Sequence, residues 1–114
     1  MTGLRFIRLH FGMSIDELAK KMGLSRTTVL HWEYGAHIPD MRLGVLSNIF
    51  GLSSNYFGRL TDETIPEIKE KIADVSTEYR MLIKKRKLMG ITSHSNSPKS
   101  ILEELIELRD SINM

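Results

Sequence analysis

The chain has 114 residues, a formal net charge of +2, a pI of about 9.0, 41% hydrophobic residues and no cysteine. That length holds one compact domain with an extension, or two very small domains, and leaves no room for a large enzyme core. A disulfide scaffold and any cysteine-bearing zinc finger are excluded, and the mild basicity suits nucleic acid without requiring it, because the run Lys84-Lys85-Arg86-Lys87 alone accounts for the excess.

Leu4, Ile7 and Phe11 fall at helical spacing with Arg5, Arg8 and His10 between them, which predicts a first helix over 4–11 that stops at Gly12. Ser14 is an N-cap with Glu17 three residues on, so a second helix begins at Ile15 and runs to Met22. Leu18, Ala19 and Met22 share one face; the small Ala19 lets the next helix cross closely, and Gly23 supplies the positive φ of a sharp turn. Ser25 caps a third helix in which Val29 and Trp32 face inward while Arg26, Thr27, Leu30 and His31 lie outward. Two short helices joined by a tight turn are a helix-turn-helix. A second helix that opens on short hydrogen-bonding side chains, Ser25, Arg26, Thr27 and Thr28, suits the DNA major groove.

After Gly35 a loop leads to Pro39. Asp40 is placed to cap a fourth helix that ends at Phe50 and stops at Gly51, and Ser53 or Ser54 starts a short fifth one over 55–57. The expected core gathers Leu18, Met22, Val29, Trp32, Leu43, Leu46, Ile49 and Phe57 from all five. These helices define a DNA-binding domain over 1–60, and a second unit fills 61–114. There Ile65, Ile68, Ile72, Val75, Tyr79 and Leu82 advance by alternating steps of three and four, with Lys and Glu at most other positions. A polar break over 90–98 follows, with Ser97 as cap and Pro98 at the first position of a last helix. In that helix Ile101, Leu105, Leu108 and Ile112 repeat the pattern, and Leu102 and Ile106 widen the stripe. The regular seam favours association as a dimeric coil or a hairpin meeting its copy; the alternative is that both helices pack back on the N-terminal domain. Candidate dimerisation residues are therefore Ile68, Ile72, Val75, Tyr79, Leu82, Ile101, Leu105, Leu108 and Ile112.

Over 4–57 the series Leu18-Ala19, Gly23, Leu24-Ser25-Arg26, Val29, Trp32-Glu33 and Gly35, then Pro39, Leu46, Phe50-Gly51 and Tyr56-Phe57, resembles the phage repressor and Cro type of helix-turn-helix regulator, the Xre family. The resemblance implies an all-α, five-helix, lambda-repressor-like domain that binds double-stranded operator DNA as a dimer and reads bases from the first turns of its third helix. By position it places Arg26, Thr27 and His31 at base edges and Ser25 and Thr28 at phosphates. It also implies a bridge from Glu33 to Arg8, which with Trp32 forms the scaffold. Arg26 has the donors for a bidentate contact to guanine O6 and N7, and the methyl groups of Thr27 or Leu30 suit a thymine methyl. Two departures stand out. Ile15 occupies a position where many relatives carry a phosphate-contacting Gln, and the loop over 35–39 lacks lysine, which leaves His37 and Arg42 as phosphate candidates.

The remaining signals are weaker than their structural readings. Trp32 at helical spacing from Val29 is a core residue before it is a base-stacking platform. The four histidines lack metal-ligand spacing, and no cofactor is called for. Asp16 and Glu17 are adjacent and so point to different helix faces; with no nucleophile elbow or phosphate loop, no enzyme is expected. The basic run over 84–87 reads as a solvated helix end. The expected function is a homodimeric transcriptional repressor of phage or mobile-element type, cytoplasmic because no signal peptide or long apolar run is present. The alternative is an adaptor or antitoxin-like module whose C-terminal helices hold an anti-repressor or other protein partner.

Overall fold

A computed structural model describes residues 2–88 and 100–113, leaving aside the side chains of 86 and 111–113. The described residues form six α-helices and one short 3-10 turn. Helix α1, Gly3–His10, starts at a Thr2 cap whose hydroxyl accepts from the Arg5 amide. Its first residue has to be glycine: Gly3 N donates to Gly58 O at 2.6 Å, and a Cβ there would lie 1.7 Å from the Tyr56 carbonyl oxygen. Helix α2, Ile15–Met22, is capped by Ser14, which accepts from Glu17 N at 3.0 Å, and closes at Gly23 with φ +68°. That left-handed residue turns the chain into α3, Arg26–Glu33, whose Ser25 cap accepts from Thr28 N.

Helix α4, Asp40–Phe50, differs from expectation at its start. Pro39 holds the cap position and no side chain caps the helix, so Asp40 lies inside the first turn, where its charge suits the helix dipole. The expected fifth helix is a 3-10 turn over Ser54–Phe57. Helix α5, Thr64–Leu88, is one continuous helix, introduced by hydrogen bonds from Thr61 N to Thr64 Oγ1 and from Thr64 N to Thr61 Oγ1. Helix α6, Ile101–Asn113, takes its cap from Ser100, which accepts from Glu103 N at 3.2 Å; the expected cap at Ser97 and Pro98 lies outside the described residues.

All six helices contribute to one core. Leu4, Ile7, Phe11, Leu18, Val29, Leu46, Ile49 and Phe57 are buried together with Ile68, Ile72, Tyr79, Ile101, Leu105 and Leu108. A ladder of rings joins the layers: Phe57 lies 5.9 Å from Phe50, Phe50 5.3 Å from Phe11, and Phe11 5.7 Å from Tyr79 of α5. Lys21 of α2, itself buried, pairs with Glu104 of α6, which also accepts from Tyr79 Oη.

Much of the apolar seam over 61–114 packs inside the chain, while Leu102 and Ile106 of α6 stay exposed. Ile68, Ile72, Tyr79, Ile101, Leu105 and Leu108 are buried, Val75 and Leu82 are half-buried against the same core, and the side chain of Ile112 lies outside the description. Buried residues on both sides of the boundary at residue 60 lie in one cluster. Phe11 links them: its ring lies 5.3 Å from Phe50 of α4 and 5.7 Å from Tyr79 of α5. Leu43, expected in the core, is only half-buried.

Candidate nucleic-acid interface

Helix α3 has two unlike sides. Val29, Trp32 and Glu33 are buried and fix the helix to the domain. On the other side Ser25, Arg26, Thr27 and His31 are exposed, with Thr28 and Leu30 half-buried at its edges. Four of the six residues expected on the reading helix thus share one open face at its head and middle. Ser25 and Thr28 are already joined, hydroxyl to hydroxyl, at 2.9 Å, so the cap orders both groups and leaves one hydroxyl proton free to donate outward.

Behind this face lies a buried ion pair. Arg8 Nε donates to Glu33 Oε2 at 2.6 Å and Nη2 to Oε1 at 2.9 Å, a bidentate fork, while Nη1 reaches Met13 O at 2.7 Å. Glu33 therefore brings no free negative charge to the surface of α3, and its pair ties α3 to α1. Trp32, 6% exposed, packs in the core next to it.

The flanking candidates divide. His37 is exposed in the loop after α3 and Arg42 is half-buried in the first turn of α4. His37 lines an open cleft of about 650 Å³ together with Arg5 and Arg59, and Tyr34 stands at the rim, 77% exposed. Sequence reasoning missed Arg5, Tyr34 and Arg59, because only the tertiary fold brings the start of α1 and the chain after the 3-10 turn to this loop. It also missed Asp16, whose Oδ2 lies 3.6 Å from Arg26 Nη1. The adjacent carboxylate was visible in the sequence, but its partner was not. Among the described residues no group of His, Asp and Glu could hold a metal ion, and no helix is long and apolar enough to cross a membrane.

A capped helix held by its rear face and open at its head, preceded by a helix and a left-handed glycine turn, defines a helix-turn-helix. Comparison with known proteins agrees: the helix-turn-helix family model matches residues 4–57, the same segment over which the sequence resembles the Xre type. An uncharacterised HTH-type transcriptional regulator of Archaeoglobus fulgidus is 43% identical over 42 residues, which cover 37% of this chain and 60% of that protein. The virulence regulon transcriptional activator VirB of Shigella flexneri is 28% identical over 110 residues, covering 85% of this chain and 35% of that protein, and the Shigella sonnei protein matches equally. The chain thus spans less than two thirds of the length of these relatives. No solved structure matches it.

Proposed function

We propose that this chain is a DNA-binding transcriptional regulator, sequence-specific and homodimeric, and that it represses by occupying a palindromic operator, in the manner of phage and mobile-element repressors. The carrying observation is the open row of Ser25, Arg26, Thr27 and His31 on a helix whose opposite side is locked by Val29, Trp32 and Glu33. In this reading Arg26, Thr27, Leu30 and His31 meet base edges, and Ser25, Thr28, His37 and Arg42 meet phosphates. Binding is the whole mechanism, with no catalytic step, and it takes place in the cytoplasm. Two copies meet through surfaces outside the buried positions Ile101, Leu105 and Leu108, which the chain's own core occupies. The adaptor reading rests on what the core leaves open, the exposed Leu102 and Ile106 of α6, since Ile101, Leu105 and Leu108 are buried.

Selection of bound sequences from a randomised DNA pool tests this. The expected product is a palindromic motif with half-sites about one helical turn, roughly 34 Å, apart. Arg26→Ala relaxes one base position in each half-site, whereas Thr28→Ala weakens all sequences alike. A pool that enriches no motif overturns the proposal. A promoter-reporter assay on the selected motif fixes the sign of regulation, where the activator named in Shigella supplies the opposite arm.

A further inference from the structure

Arg26 is paired at the head of the reading helix. Its Nη1 lies 3.6 Å from Asp16 Oδ2, an ion pair beyond hydrogen-bond length, and the two side chains are 62% and 61% exposed. Exposed pairs of this kind add little to folding stability. Nor does α2 need Asp16 as its cap, because Ser14 already accepts from the Glu17 amide. What the pair does change is the chemistry offered to DNA. A carboxylate beside a guanidinium cancels much of the attraction that would draw Arg26 to a phosphate, and it repels the phosphate directly. Guanine O6 and N7 are neutral acceptors and suffer no such repulsion. The carboxylate also draws one edge of a long, flexible side chain toward α2, which narrows the orientations the fork can take.

We propose that Asp16 is a positioning residue that commits Arg26 to guanine in the major groove and turns it away from the phosphate backbone. This rests on the reading of the chain as a sequence-specific DNA binder. It also accounts for a reading face so poor in cations: specificity at the head of α3 is set by suppressing one of the two targets an arginine can take.

The test compares the full chain with Asp16→Asn, Arg26→Ala and the double variant, each first verified as folded by thermal melting. Selection from a randomised pool and salt titration on the selected and a scrambled duplex are the readouts. Asp16→Asn is expected to lower the preference for guanine at the Arg26 position by about two- to fivefold, the range an exposed pair can transmit. Binding to the scrambled duplex tightens, and the slope of log affinity against log salt steepens by about one, as the released guanidinium takes a phosphate. In the Arg26→Ala background the same substitution leaves the base preference where it was. An unchanged motif and slope in Asp16→Asn overturn the proposal, as does an undiminished effect of Asp16→Asn without Arg26, which would make Asp16 a DNA contact in its own right. If the parent chain enriches no motif, the underlying reading falls; a parent motif that Asp16→Asn leaves intact removes only the role of Asp16.

Discussion

Glu33 sits on the helix proposed to approach phosphate, and its partner is what makes that tolerable. The Arg8 fork neutralises it in a site where the two side chains are 8% and 3% exposed, so loss of one partner leaves a buried, uncompensated charge. Glu33→Gln is expected to cost about 3–5 kcal/mol, read as a lowered midpoint in urea unfolding, with Arg8→Gln costing a similar amount. A parent-like midpoint would place the pair in solvent. The pair was legible through the resemblance, which carried Glu33 and Arg8 together by position. Gly3 was not. Nothing near it in sequence marks the Tyr56 carbonyl that its Cα approaches, so the need for glycine appears only when α1 is laid across the 3-10 turn. A methyl group at 1.7 Å from a backbone oxygen cannot be absorbed by a rotamer change. Gly3→Ala should therefore destabilise by about 1–3 kcal/mol or more, and a melting temperature equal to the parent's would show that α1 is free to shift.

Helices were legible where local chemistry sets both ends. Ser14 with Gly23 bounds α2, and Ser25 opens α3, because caps and left-handed turns act over a few residues. The partner of a helix is a different matter. The three-four spacing of α5 and α6 told which side is apolar, yet the same stripe serves a dimer seam or an intramolecular layer, and it is Phe11 opposite Tyr79 that favours the layer. Tyr79 also carries a consequence for pH. Burial pushes its hydroxyl up to about 12, with the charge of Glu17 adding to the shift, while Tyr79 Oη donates to Glu104 Oε2 at 2.8 Å. An unfolded tyrosine titrates near 10, so the folded state holds the proton more tightly. The stability this contributes is complete below about pH 10 and is lost as pH rises toward 12, a span worth about 3 kcal/mol. Urea midpoints of the parent and Tyr79→Phe measured from pH 8 to 12 isolate it from lysine titration. The gap between them should shrink or reverse above pH 10; a constant gap would mean that Tyr79 ionises as it does in the unfolded chain.

At the scale of the whole molecule, the question is whether the first sixty residues are a domain that carries a tail or half of a single core. The match to the helix-turn-helix family ends at residue 57, which suggests a self-sufficient unit. The packing argues otherwise. Tyr79 covers Phe11, Ile68 and Ile72 lie at 0% and 2% exposure in the same cluster as Leu4 and Ile7, and Glu104 compensates the buried Lys21 of α2. Removing residues 64–114 would uncover Phe11 and take from Lys21 its Glu104 partner, within the helix-turn-helix itself. Each large apolar side chain returned to water forfeits about 1.5–3 kcal/mol, against a total stability of about 5–15 kcal/mol for a domain. A loss of even about 3 kcal/mol lowers the melting temperature of so small a unit by roughly 12–24 °C. The truncated chain 1–63 should therefore melt far below the full chain or without a cooperative transition, and its DNA affinity should fall along with its folded fraction. Differential scanning calorimetry and gel shift on both lengths check this. A truncated chain that melts at the parent temperature would establish the helix-turn-helix as independent, and would return α5 and α6 to the service of a partner.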